Sequence, residues 1–166
     1  MARLNLRQNV LRRILWAVVI IIGLTAIAPP SVAVSYNKEI LIDSDFSNQV
    51  LTDASFTKAN LRNSNFSGSN LQGISFFAAN LERANLEGAN LTYATLDSAR
   101  LTRANLTNAN LEGAFAANAI FDGAIIDGAD FTDVLLRPDQ QDKLCAVAKG
   151  TNPTTGRDTK ETLFCY

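Results

Sequence analysis

From Tyr36 onward a bulky apolar residue returns at every fifth position: Tyr36, Leu41, Phe46, Leu51, Phe56, and so on through Phe131 to Leu136. Ala116 is the one small member of that series. Two residues earlier stands a small one, Ala or Ser at nearly every site, and Ala at all of them from Ala79 to Ala129. A period of five cannot line one face of an α-helix, because successive members would be turned by about 140° and spread around the cylinder. It cannot line one face of a straight strand either, since an odd period alternates faces. The pattern becomes consistent when each unit is a short extended side that turns its small and large residues inward, followed by a corner.

Residue choice between the inward positions supports the corners. Asn precedes the large residue at Asn60, Asn65, Asn70, Asn80, Asn85, Asn90, Asn105 and Asn110, and Gly follows two after it at Gly68, Gly73, Gly88, Gly113, Gly123 and Gly128. Both types favour turns, Gly through its backbone freedom and Asn through local side-chain hydrogen bonds. The number of sides follows from the early repeats, in which Leu41, Leu51, Leu61 and Leu71 alternate with Phe46, Phe56, Phe66 and Phe76. That alternation fits a four-sided coil of 20 residues, with Leu on one pair of opposite walls and Phe on the other. Coils stacked at about 4.8 Å would give a rod of five coils, roughly 25 Å long.

The units Ala84-Asn85-Leu86-Glu87-Gly88 and Ala109-Asn110-Leu111-Glu112-Gly113 resemble the pentapeptide repeat family, and the likeness covers residues 34–138. The resemblance implies an all-β solenoid, a right-handed quadrilateral β-helix with a short C-terminal α-helical cap. Glu39, Gln49, Ile74 and Val134 depart from the pattern at small sites and Ala116 at a large one.

The chain has no histidine, which removes Ser-His and Cys-His dyads and imidazole metal ligands. Arg3, Arg7, Arg12 and Arg13 precede an apolar run from Ile14 to Ala28, and no acid appears before Glu39. As a helix that run would span roughly 22 Å, short of a ~30 Å hydrocarbon core. It reads as the core of an export signal, with Pro29-Pro30 breaking the helix and Ser31-Val32-Ala33 offering the small residues of a cleavage site. The expected organisation is a signal peptide over 1–33, the repeat domain over 34–138 and a cap over 139–166. The Arg12-Arg13 pair leaves general secretory and twin-arginine export both open. Four of the 15 basic residues and none of the 16 acids leave with residues 1–33, so the exported part is acidic and poorly suited to nucleic-acid phosphate.

A solenoid must cover its last coil. Pro138 can open a helix that Gly150 stops, with Leu144, Val147 and Ala148 as its apolar stripe. Asp158 and Glu161 form a possible capping box for a second short helix carrying Leu163 and Phe164. Cys145 and Cys165 are the only cysteines, and in an exported domain they are expected to be bonded, with a redox-regulated thiol pair as the alternative. The tail from Leu144 to Pro153, with Thr155-Gly156-Arg157 and Leu163-Phe164-Cys165, also resembles the ending of thylakoid-lumen pentapeptide repeat proteins. The resemblance implies that compartment; the periplasm is the alternative.

Unrolled at 20 residues per coil, Arg62, Arg83, Arg100 and Arg103 share one wall, partly balanced by Asp43, Glu82 and Asp122. Two further walls carry only acids: Asp45, Glu87 and Asp127 on one, and Asp53, Glu112, Asp130 and Asp133 on the other. On the fourth, Phe77 and Phe115 fall on outward positions near Ala117 and Leu135, either as an exposed patch or with Phe115 exchanged for Ala116 at a bulge. The acids from Asp122 to Asp133 lack the spacing of a calcium loop. No catalytic, cofactor or metal site is expected. The sequence is read as a non-enzymatic interaction module with a protein partner, no nucleic acid, and no stable membrane insertion once the signal is removed. The competing reading is an acidic DNA mimic acting on an enzyme such as gyrase, a role known in this family.

Overall fold

The computed structural model describes residues 34–166, so the expected signal and its cleavage site lie outside the described residues. Parallel backbone bridges join each repeat to the one 20 residues later, from Ser35 with Ser55 to Phe115 with Leu135. Each coil is therefore 20 residues and four corners long. We number its sides wall 1 (34–38 and every twentieth residue on), wall 2 (from 39–43), wall 3 (from 44–48) and wall 4 (from 49–53).

Nearly every corner is a tight turn in which the residue at the small-residue position donates its amide to the preceding large residue's carbonyl, as Ala84 does to Leu81 at 3.0 Å. The third residue of the turn is left-handed almost throughout, at Gly88 and Gly113 but also at Arg83, Tyr93 and Arg103, whose φ values are 56°, 57° and 59°. This conformation costs a residue with a Cβ about 1–2 kcal/mol, so the corners persist because the stacked coils hold them. Asn works on two fronts. The Asn85 side-chain oxygen Oδ1 accepts the Glu87 backbone amide at 3.2 Å, fixing the turn, while the Asn85 side-chain amide Nδ2 donates to the Asn65 side-chain oxygen one coil below at 3.2 Å. The Asn105 side-chain amide repeats that step to the Asn85 side-chain oxygen at 3.1 Å.

The inward files form the core. Leu61, Leu81 and Leu101 are wholly buried in one file and Leu71, Leu91 and Leu111 in the opposite one. Phe56 and Phe76 stack with centroids 5.4 Å apart, Phe46 and Phe66 stack at 4.9 Å, and the two files meet edge to face at 5.3–5.6 Å. The Leu and Phe walls thus alternate as the sequence suggests. Each buried Leu contributes roughly 2–3 kcal/mol by removal from water. Ile74 is accommodated at a small site because Ala54 and Ala94 flank it in its file. Ala116 stays inside and Phe115 outside, with Phe115 bridged to both Thr95 and Leu135, so no bulge exchanges them.

The cap differs from expectation at its first helix. Helix α1 runs Pro138–Cys145 and ends there instead of at Gly150, leaving Val147 exposed while Leu144 and Ala148 are buried. The chain turns early because the Lys149 carbonyl accepts the Gly128 amide at 2.8 Å, and Gly150, at φ +83°, packs against the Gly128 backbone. A Cβ at Gly150 would stand 3.0 Å from the Gly128 nitrogen. Helix α2 spans Thr159–Thr162, with Asp158 accepting the amides of Lys160 and Glu161 at its N-terminus. The Cys145–Cys165 disulfide ties the two cap segments across 20 residues, which the chain-entropy relation values at about 3 kcal/mol.

Candidate interaction surface

The cap closes the last coil by replacing a coil that is absent. Within the repeats Leu101 donates its amide to the Ile120 carbonyl. By the same register Phe121 would reach the carbonyl of residue 140; instead the Gln140 side-chain oxygen accepts that amide at 3.1 Å, and Gln140 is buried. Phe131 donates likewise to the Thr162 hydroxyl at 3.1 Å. Asn152, fully buried, bolts the loop down. Its side-chain amide reaches the carbonyls of Asn108, Ala109 and Gly128 at 3.2, 3.2 and 2.9 Å, and its oxygen accepts the amides of Thr154 and Thr155. A buried polar group so fully paired is worth keeping, because unpairing it leaves several groups without partners.

The cap also takes up the acids of the last coils. Lys143 pairs with Asp122 at 2.7 Å, Lys149 with Asp127 at 3.2 Å, and Arg157 with Glu112 at 2.8 Å and Asp130 at 3.1 Å. Walls 3 and 4 therefore do receive bases, contributed by the cap. Burial alone would raise the Asp130 carboxyl, but bonds from the Thr132 hydroxyl and amide and from Thr155, with the Arg157 charge, hold it below its ordinary range. The same pairing holds the Arg157 guanidinium above its own, chiefly through Glu112. Asp122, Asp127 and Asp130 thus dock the cap. Among the described residues no cluster of His, Cys, Asp or Glu could hold a metal ion.

Against this, Arg62, Arg83, Arg100 and Arg103 are exposed on wall 2, and none of the ion pairs among the described residues includes them. Arg83 and Arg103 occupy the same corner in successive coils, about 4.8 Å apart along the rod. The acids expected to balance them are engaged elsewhere or aligned without contact: Asp43 accepts from the Asn63 side chain and Asp122 from Lys143.

Wall 1 carries the apolar residues, but not all together. Phe115 is 45% exposed and Leu135, 54% exposed, is bridged directly beside it. Phe77, 38% exposed, lies two coils away, separated by the coil of Thr95 and Asp97. The patch continues instead toward the cap, where Leu135 and the exposed Phe164 line a cavity of about 130 Å³ with Phe131, Val134, Leu136 and Leu163. Phe164 is held left-handed at φ 54°, which costs an aromatic residue conformational energy and keeps its ring turned outward at the rim. The sequence reading placed Leu163 and Phe164 together on the second helix, but α2 ends at Thr162, and just beyond it Leu163 is buried while Phe164 is exposed. Cys145 and Cys165 stand behind this end of the rod as a bonded pair.

Comparison with known proteins places the chain. A pentapeptide repeat region model matches residues 39–116 and a model of eight pentapeptide repeat copies matches 99–137. Two curated proteins of Arabidopsis thaliana are similar over 40 residues each: the chloroplastic thylakoid lumenal 15 kDa protein 1 at 62% identity and the thylakoid lumenal protein TL20.3 at 50%. Those matches cover 24% of this chain and only 18% and 14% of the relatives, so under a fifth of either relative's length. The crystal structure of a pentapeptide repeat protein from the Arabidopsis thaliana thylakoid lumen is similar at 49% identity and TM-score 0.75, over 78% of this chain and 89% of that one. The chain belongs to the pentapeptide repeat family, in its thylakoid-lumen type.

Proposed function

We propose that this protein is a non-enzymatic interaction module of the thylakoid lumen, exported by residues 1–33 and released from the membrane when they are removed. The stacked coils are read as a right-handed quadrilateral β-helix, a handedness supported by the family to which the chain belongs. The rod is a rigid frame whose walls present fixed side chains at the coil spacing. One observation carries the reading: four exposed arginines without an acidic partner beside an uncovered apolar patch, in a protein whose cap bases Lys143, Lys149 and Arg157 are all paired with acids of the last coils. Arginine and aromatic residues are the types on which interfaces concentrate their binding energy. The partner so fitted is a protein with an acidic rim and an aliphatic or aromatic anchor that enters the space beside Leu135 and Phe164.

The absence of histidine and the lack of an organised nucleophile and base support a non-enzymatic role. Among the described residues no helix is long and apolar enough to cross a membrane. The DNA-mimic alternative needs continuous negative walls, and the arginines of wall 2 and the cap bases over Glu112, Asp127 and Asp130 count against it. The test is affinity capture from isolated lumen with the wild type, Arg83→Glu, Phe77→Ser and Phe115→Ser. Loss of the same captured protein with Arg83→Glu and Phe115→Ser, and a weaker loss with Phe77→Ser, is expected. Equal capture by all four overturns the assignment of these walls.

A further inference from the structure

The two ends of the rod are finished differently. A residue at the bridging position directs both main-chain groups toward the N-terminal side: Asn60 donates its amide to the Glu39 carbonyl at 2.8 Å and accepts the Leu41 amide at 2.8 Å. In the first coil the same groups of Ser35, Ile40, Asp45 and Val50 have no main-chain partner among the described residues. At the other end Gln140, Lys149 and Thr162 accept the outward amides of Phe121, Gly128 and Phe131. Side chains repeat the contrast. Ile40 and Val50 are 76% and 75% exposed, and the core residues Tyr36, Leu41 and Leu51 are half-buried, where the files behind them are wholly buried.

We infer that this first coil is a homodimer edge, and that a second copy of the chain covers it end to end. A residue whose amide and carbonyl both point outward is what the closely bonded pair of an antiparallel ladder requires. A copy turned over by a two-fold axis perpendicular to the rod runs its coil in the opposite sense, so all four walls meet antiparallel, and the edge complements itself.

Side chains select between the two registers in which the axis passes through the middles of opposite walls. With the axis through the middles of walls 2 and 4, Ile40 meets Ile40 of the second copy and Val50 meets its Val50, while Ser35 meets its Asp45. Lys38 then stands at the corner next to Asp43 of the second copy, twice by symmetry. Turning the axis to walls 1 and 3 would oppose Asp45 to Asp45, which like-charge repulsion disfavours. A closed isologous dimer also removes the hazard of an open edge, which otherwise templates further pairing.

This inference rests on the proposal that residues 1–33 are removed, and the experiment reads the two separately. The protein is expressed from its full sequence in a photosynthetic host, recovered from the lumen, and its first residue determined. Sedimentation velocity at about 100 μM should give twice the chain mass. Ile40→Lys with Val50→Lys should give the single mass, with the near-ultraviolet signal of the aromatic stacks unchanged as proof of fold. In Ile40→Cys the only free thiols should cross-link across the axis on mild oxidation, because antiparallel bonded pairs place Cα atoms ~5.5 Å apart, within disulfide reach. Arg62→Cys should not. A first residue other than Val34 contradicts the processing site. A monomeric wild type, with or without residues 1–33, overturns the dimer, as does a dimer that survives the two lysines or cross-links only through Phe115→Cys.

Discussion

Asn152→Asp replaces one atom type in the buried bolt of the cap and leaves its shape alone. The side-chain amide now donates to the carbonyls of Asn108, Ala109 and Gly128, three contacts shared by two hydrogens. An aspartate retains the oxygen that accepts from Thr154 and Thr155 but turns its second oxygen on three carbonyls. Two lost bonds at about 1 kcal/mol each, with carbonyls left unpaired, set a floor near 2 kcal/mol. A buried carboxylate without a cation adds to that until its pKa rises and it takes a proton, so the total is roughly 3–5 kcal/mol at pH 7. The sign with pH follows: a carboxyl raised above its unfolded value of about 3.9 gains folded-state protonation as pH falls, so the deficit shrinks from pH 7 to pH 5. Urea denaturation with the disulfide intact measures it, and hydrogen exchange at Gly128 and Phe131 locates it. Asn152→Ala, which also abandons the two loop amides, should cost as much without the pH trend. A deficit under 1 kcal/mol in both variants would refute the view that the cap is bolted through this side chain.

Two other perturbations probe the corners and the ion pairs. Gly88→Ala adds a Cβ that meets nothing within 4 Å, so only its left-handed backbone (φ +63°) is charged, about 1 kcal/mol in urea denaturation. Gly113→Ala brings its Cβ to 2.6 Å from the Tyr93 ring and should cost more, and Tyr93→Ala in the same chain should erase the excess. Asp130 is lowered in the folded protein, so its stabilisation holds above the unfolded value of about 3.9 and is lost as pH falls through the lower folded value. Asp130→Asn should flatten that acid limb in thermal melts between pH 5 and pH 2, and an unchanged limb would exclude this group.

Much of the rod is legible in the sequence because its core repeats. Leu81, Leu101 and Phe121 share a file for the same reason that they share a phase, and alternating Leu and Phe reveal four sides because a three-sided coil would mix them. The left-handed corners at Arg83, Tyr93 and Arg103 are legible only by phase, since their residue types argue against that conformation. The cap is less legible because it imitates a coil with side chains. Gln140 looks like an exposed helix residue, yet it stands at the register where a further repeat would offer a carbonyl, and its side chain offers one instead. Asn152 reads as an ordinary turn residue before proline, and nothing local shows that carbonyls from Asn108 to Gly128 converge on it. The surface is legible in position but not in partnership. Wall 2 arginines could be placed by counting, whereas the transfer of Asp122 to Lys143 and the shift of the apolar patch from Phe77 toward Phe164 depend on where α1 ends and the chain returns.

We propose walls 1 and 2 as the working surface of the rod. Hydroxyl-radical footprinting of the protein inside intact thylakoids, compared with the purified protein, is the decisive measurement. Protection of Phe115, Leu135, Phe164 and the Arg83–Arg103 corner, with the oxidation of Tyr93 on wall 4 unchanged, is the expected result. Protection confined to walls 3 and 4, or none beyond the first coil, would contradict it.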